Sequence, residues 1–418
     1  MRLFLLLISR SLRQHALSAC ITIFSVALAS GLLMAVFSLK TQTHGAFTGG
    51  EVGFDAVLGA RGSQLQLVLN TIFHLETSPG NIPWSLYQAI KQRPSVKLAI
   101  PYAVGDNYHG FRIVGTTKDI FTDFEYQEGK KFKLQPGGEL FDDTRADAVI
   151  GSFVAQRTGL KVNDVFHPYH GLLFNELTKH SEEYRVVGIL EPTNSPSDRV
   201  IWIPIEGLFR MGGHVLRGTG KEFEAKPGEP IPDAAKEVSA VMLKFTSPQY
   251  GFTLSQEING DGKVATLAWP IGNVMADLFD KIGWLDRVLA LIAYLVAAVA
   301  IGSILASIYN TMNERLREFA LLRALGARKR TVFSAIVLEA SAIAALGSLC
   351  GFVVYAFILG AAAFIIRSQT GVVLDVFQPH WVMLLAPAGM LLAGAAAGTV
   401  PAMKAYRTDV ATNLTPLS

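Results

Sequence analysis

Four places in this sequence combine residue types that do chemistry. Gly218-Thr-Gly-Lys-Glu222 puts a lysine behind two glycines, the start of a loop that could cradle phosphate oxygens. A nucleotide-hydrolysing loop also needs an earlier glycine at fixed spacing and a Ser or Thr after the lysine; here the first is missing and Glu222 replaces the second. His167-Pro-Tyr-His170, with His180 nearby, could bring imidazoles together. A proline inside the spacing, and no Cys or acidic partner at zinc-site intervals, argue for ordinary loop histidines and no metal. Gly59-Ala-Arg-Gly-Ser63 has the form of an anion-binding turn, although a glycine-supported strand exit explains it more simply. Glu339 is an acid inside an apolar run, where an unpaired charge is costly, so it marks a structural or coupling position that water or Arg330 could reach. No catalytic constellation emerges, and the expected roles are a non-catalytic chain with no cofactor and no metal.

The elements that hold these residues are dominated by membrane segments. Half the residues are hydrophobic and 17% are charged, against about 25% in soluble domains. Four apolar runs, 16–39, 288–309, 332–366 and 381–403, each reach the roughly 20 residues needed to cross a hydrocarbon core. Arg2, Arg10 and Arg13 precede the first run, six Lys/Arg lie from Arg315 to Arg330, and Lys404 and Arg407 follow the last, whereas the 367–380 connection holds only Arg367. The positive-inside tendency therefore puts both termini and the 310–331 segment in the cytoplasm. The net charge of +3 says less than this distribution. Nothing in it points to nucleic acid.

Residues 1–15 read as an interfacial helix, with Leu3-Phe-Leu-Leu-Leu-Ile8 lying along the inner surface. A removable signal peptide is the rival, because Ala27-Leu28-Ala29 resembles a cleavage site. The apolar run continues to Leu39, longer than a signal core, which favours an anchor. Both cysteines, Cys20 and Cys350, fall in apolar runs, so the outer part has no disulfide to staple it.

Residues 40–273 are long enough to bury a core of their own and to form two subdomains. Strands are expected at Asp55–Leu58, Phe111–Val114, Ala148–Ile150, Tyr184–Leu190 and Arg199–Ile203, and helices at Ser63–Phe73 and Trp84–Gln92, which makes an α+β domain. Gly207–Pro232 reads as an extended mobile insertion. Residues 274–309 combine a stalk with the second span, since Val274, Leu278, Ile282 and Leu285 keep helical spacing. The architecture is thus a four-span α-helical membrane protein with a large α+β extracytoplasmic domain inserted between spans 1 and 2, ending in a 404–418 cytoplasmic tail.

Between spans 2 and 3, Asn313 to Ala327 form a short basic helix followed by Arg328-Lys-Arg330. Met312, Leu316, Phe319 and Ala320 share one face, opposite Glu314, Arg315, Arg317 and Glu318, while Leu321, Leu322 and Leu325 spread apolar surface round the helix. On its own this fits a juxtamembrane helix anchored to anionic lipid at about 1 kcal/mol per cation as well as it fits a docking element. Gly347-x-x-x-Gly351 and Gly394-x-x-x-Gly398 allow close helix approach, inside one bundle or across a dimer.

One span, a large outer domain and three clustered spans, together with Arg317-Glu-Phe-Ala-Leu-Leu-Arg-Ala-Leu-Gly-Ala327, resemble the permease subunits of MacB/FtsX/LolC-type ABC transporters. Ile150 to Asp164, Tyr184 to Leu190, Leu338-Glu-Ala340 with Gly347 and Gly351, and Val400 to Asp409 extend the likeness along most of the chain. Ala320 and Asn163 stand where the family often has glycine; Asn163 still tolerates a left-handed turn. The resemblance implies mechanotransmission, in which a separate cytoplasmic ATPase binds ATP and Mg and its closure moves the outer domain. It further implies that Arg317, Glu318, Phe319, Leu321, Leu322, Arg323, Leu325 and Gly326 couple to that ATPase. The implied setting is a bacterial inner membrane, with a second permease copy or a similar permease and a periplasmic adaptor or lipoprotein as further partners. The expected cargo is a peptide, lipoprotein or other amphiphile; an FtsX-like regulator or sensor of an outer partner is the alternative.

Overall fold

The computed structural model describes residues 10–48, 53–211 and 231–407. The segment 3–8, most of Gly207–Pro232 and the 218–222 loop therefore lie outside the described residues. The described residues divide into a membrane unit, which takes those within 10–43, 282–364 and 374–407, and an outer unit, which takes those within 44–281 and 365–373.

Among the described residues, four helices are long and apolar enough to span a bilayer: Ala16–Phe47, Ile271–Glu314, Lys329–Thr370 and Val382–Tyr406. Stalk and second span are one helix of 44 residues, about 66 Å long at 1.5 Å per residue, roughly twice the hydrocarbon thickness. Helix contacts within the membrane unit mix larger residues such as Ile304, Ile336 and Met390 with small ones, Ala29, Ala300, Ala340, Ala344 and Ala402 all being buried. Lipid offers no hydrophobic contrast between helices, so close packing of such residues takes its place. Ala27 and Ala29, the suspected cleavage motif, are both buried in the middle of the first helix. Pro387 and Pro401 are accommodated inside the last helix.

The outer unit is built on strands β1 (Ala56–Ala60), β2 (Ile82–Pro83), β3 (Val96–Tyr108), β4 (Phe111–Thr116), β5 (Asp147–Ile150), β6 (Val165–Phe166), β7 (Tyr169–His170), β8 (Tyr184–Ile189), β9 (Val200–Pro204), β10 (Glu237–Val238), β11 (Ala240–Phe245) and β12 (Ala265–Ala268). Ten of them form a mixed sheet in the order β12-β1-β11-β3-β4-β9-β5-β8-β6, with β7 paired to β3; β2 and β10 make a separate pair. A single sheet runs through the unit. Its continuity depends on β3, whose first half pairs with β11 and whose second half pairs with β4. The partner changes between Tyr102 and Ala103, and a bulge at Gly105, within the half that pairs with β4, shifts the register between Val104 and Asp106. Strands β1, β5 and β9 are buried along their whole length, as suits strands covered on both faces.

Helices fall close to their expected places, at Gln64–Thr71 behind the Ser63 cap and at Trp84–Lys91. One correction concerns Gly207, which lies in a helix, Ile205–Arg210, rather than in an extended insertion. Asn163 adopts φ +77°, the left-handed turn its side chain tolerates.

Candidate functional site

The second membrane helix ends at Glu314, and Arg315 breaks the helical path with φ −104° and ψ 9°. A nine-residue linking helix, Leu316–Ala324, follows. Its end is fixed by Gly326 at φ +100°, with the Gly326 amide donating to the Arg323 carbonyl (3.0 Å) and the Ala327 amide to the Leu322 carbonyl (3.0 Å). This closing pattern needs a residue free to turn left-handed, which explains the glycine just before the cationic triplet.

The break gives the linking helix two unlike faces. Phe319 and Ala320 are buried, and with Met312 and the half-buried Leu316 they pack against Val332 and Ile336 of the third membrane helix and their neighbours. On the other side Arg317, Glu318, Leu321, Leu322 and Gly326 are exposed, and Leu325 is 86% exposed. Arg323 is half-buried. Of the residues expected to meet a partner, Phe319 is therefore turned inward, whereas the three leucines face outward.

Beneath the helix lies a buried polar cluster. The Arg315 guanidinium donates to Ser11 Oγ (2.7 Å), to Glu339 Oε2 (3.4 Å) and to Glu318 Oε2 (3.1 Å), and stacks over the Phe319 ring at 5.1 Å. The Ser11 hydroxyl donates in turn to Glu339 Oε1. Ser11, Arg315 and Glu339 are all buried. The cluster ties the residues before the first membrane helix, the break after the second and the third helix to one carboxylate. Arg315 rather than Arg330 is the partner of Glu339. Nine residues separate Arg330 from Glu339, about two and a half turns, which puts them on opposite sides of the same helix. Around the cluster, His15 Nδ1 lies 3.2 Å from Glu314, Ser18 and Ser307 share a hydrogen bond of 3.0 Å, and the Lys404 ammonium sits 4.2 Å from the Tyr309 ring centre.

The four span glycines lie against helices of the same chain. A Cβ on Gly347 would fall 2.5 Å from Val26 Cβ, one on Gly351 3.0 Å from Ser30 Cβ, one on Gly394 2.6 Å from Ala344 Cβ, and one on Gly398 2.6 Å from Ala340 Cβ.

The outer unit holds the histidines and the glycine turn. His167 Nε2 lies 3.2 Å from Glu183, and its Nδ1 is 3.1 Å from the Glu182 carbonyl, so it does not join His170. His170 and His180 instead converge on Asp106, a fully buried carboxylate that the spacing of the histidines could not reveal. In the 59–63 turn the Gly62 amide is taken by Thr266 Oγ1 (3.1 Å), and a Cβ on Gly59 would strike Leu67. That segment serves strand exit and packing. His74 is half-buried beside Trp202; desolvation, then the nearby Arg112 and Arg199, holds its imidazole down to about 3.

Four apolar helices with an α+β domain between the first and second define a multi-pass membrane protein of the permease type. Residues 16–241 match the MacB-like periplasmic core domain and residues 290–410 the FtsX-like permease C-terminal domain. The first match alone covers more than half the chain, which therefore belongs to the MacB/FtsX-type permeases, membrane subunits of ABC transporters that work with a cytoplasmic ATPase. Among solved structures, the periplasmic region of MacB from Actinobacillus actinomycetemcomitans is similar at 11% identity and a TM-score of 0.34, over 55% of this chain and 94% of that one. The assignment rests on the family models. No curated protein matches the sequence significantly.

Proposed function

We propose that this chain is the force-receiving permease of a MacB-like transporter. A cytoplasmic ATPase seats Leu321, Leu322 and Leu325, assisted by Arg317, Glu318, Arg323 and Gly326, and its ATP-driven closure displaces the linking helix. Phe319 and Ala320 bind that helix to the bundle, and Arg315 passes the displacement to Glu339 and Ser11. The long second and third helices carry it to the outer unit, which moves a peptide, lipoprotein or other amphiphile on the far side. The cations before span 1, between spans 2 and 3 and after span 4 support a cytoplasmic position for the linking helix. A pair of permeases, alike or merely similar, would offer two such helices to two ATPase subunits.

The observation that carries this reading is the two-sidedness of the linking helix, with three exposed leucines opposite an inner face fixed by a buried ion pair. A helix that only anchored to lipid would need cations and an apolar face turned toward the bilayer, not a rigid attachment to three other elements. Burying one leucine at an interface is worth about 2 kcal/mol, or some thirtyfold in affinity. Leu325→Asp and Leu322→Asp should each lose ATPase association in a pull-down and abolish transport, while membrane insertion and thermal stability stay as in the wild type. Unchanged association would overturn the docking role, and labelling of residues 315–327 from the outer side of sealed cells would overturn the orientation.

A further inference from the structure

The cluster around Asp106 has the geometry of a metal site. Its scaffold is strand pairing, not free loop: Asp106 and His170 are register partners across β3 and β7, as are Asn107 and Tyr169. The Asn107 amide donates to the carbonyls of Tyr169 (3.3 Å), Gly171 (2.9 Å) and Leu173 (3.4 Å), which fixes the start of the excursion after β7. On its return the His180 amide donates to the Pro168 carbonyl (2.9 Å), and Lys179 bridges to Tyr169. Both histidines are thereby delivered to one side of β3, over a fully buried carboxylate.

Asp106 Oδ1 lies 3.2 Å from His180 Nε2 and 3.4 Å from His170 Nδ1, and one donor atom from each of the three residues falls within 4.8 Å of the others. Ligands of a tetrahedral zinc ion at 2.0–2.1 Å stand about 3.3 Å apart, so both measured separations match an edge of that tetrahedron. Two nitrogens converging on one carboxylate oxygen also place three ligand atoms round a common point, which a simple aspartate–histidine hydrogen bond does not require. The donor set selects the ion: two imidazoles and one carboxylate suit Zn²⁺ and its borderline neighbours and are poor for Mg²⁺ or Ca²⁺, which demand oxygen. His180 is almost buried, whereas His170 is half exposed and leaves an entry path and a fourth position for water.

We propose that Asp106, His170 and His180 form a binding site for a zinc-class divalent cation in the outer unit. The ion would pin both ends of the 171–179 excursion to β3. That excursion exposes Leu173 and Leu177, which are 85% and 94% accessible, so metal loading would hold an apolar tip in one position. The site is independent of the docking proposed for the linking helix and of the direction of transport.

The test uses the full-length protein in detergent, freed of metal with a chelator. Zn²⁺ is titrated in competition with a chromophoric chelator, Co²⁺ serves as an absorbing substitute, and hydrogen exchange follows 171–179. One ion per chain is expected, with slowed exchange across 171–179 on loading. His170→Ala, at a half-exposed position that should leave the fold intact, should weaken Zn²⁺ by at least about tenfold. His180→Ala should do the same, and His167→Ala should leave binding unchanged. The proposal is overturned if the wild type binds no more Zn²⁺ or Co²⁺ than the His170→Ala/His180→Ala double variant, or if His167→Ala weakens binding as much as His170→Ala.

Discussion

Glu339 and Asp106 are both buried carboxylates, yet their surroundings differ in kind. Glu339 in the membrane unit faces the Arg315 guanidinium, a group that only donates, and receives the Ser11 hydroxyl as well. Its charge is answered by the chain itself, and the result is a permanent tie between helices. Asp106 in the outer unit faces two imidazoles, groups that can hold a proton, lose it or give a lone pair to a metal. Its balance depends on what arrives from outside. The same acidic group thus serves as a rivet in one unit and as a receptor in the other, and the difference lies in the partner.

The largest effect should come from breaking the rivet. Arg315→Met leaves Glu339 buried without its cation, which typically costs about 3–5 kcal/mol. The thermal midpoint of the purified protein should fall steeply, and Arg315→Met/Glu339→Leu should recover most of the loss, because removing both charges removes the unpaired one. A small loss in the single variant would mean that water or another group satisfies Glu339, and the contrast with Asp106 would fail.

Asp106→Asn is the matching change in the outer unit. It removes a charged acceptor from His170 and His180, worth about 1.5–3 kcal/mol in metal-free protein. Zn²⁺ at a hundred times its dissociation constant should then stabilise the wild type by about 2.7 kcal/mol and the variant hardly at all. Thermal shift with and without zinc separates the two terms. Equal stabilisation of both proteins would show that the ion binds elsewhere.

Acid discriminates the units by another route. In the folded outer unit His74 titrates at about 3, because burial and then Arg112 and Arg199 disfavour its charged form, whereas an unfolded histidine titrates near 6.5. Protons therefore favour the unfolded chain: the stability is present above about pH 6.5 and is lost as pH falls toward 3. With one proton at stake the loss is about 1.4 kcal/mol per pH unit, or about 2 kcal/mol by pH 5. Proteolysis of the outer unit at pH 5 should be faster than at pH 7, and His74→Phe should flatten that difference. If the variant keeps the full dependence, another group is responsible.

Much of this arrangement could be read from local pattern, and what could not was nonlocal. The spans announced themselves by length, and Phe319 and Ala320 by helical spacing, since both signals live within a few turns. Strand β3 went unread because Pro101, Gly105, Asp106 and Asn107 are turn-forming types, and only pairing with β11, β4 and β7 makes them strand. Asp106 lies 64 residues before His170, and no spacing rule joins them; the register of two strands does. Arg315 was missed as the partner of Glu339 for a related reason. The helix break that aims its side chain is a backbone event at one residue, and apolar periodicity carries no trace of it.

The smallest effect on stability tests whether the rivet and the docking surface are separable. Glu318 reaches the same guanidinium as Glu339, at 3.1 Å, but its side chain is 53% exposed. Solvent screens that pair, so Glu318→Gln should cost no more than about 0.2–1 kcal/mol, well below the cost at Arg315. On the outer face, however, the same change removes a charge from the surface that carries Leu321, Leu322 and Leu325. ATPase association measured against ionic strength should then respond to Glu318→Gln while the thermal midpoint barely moves. A large drop in midpoint with association intact would instead make Glu318 part of the buried tie and leave Arg317 as the exposed charge on that turn.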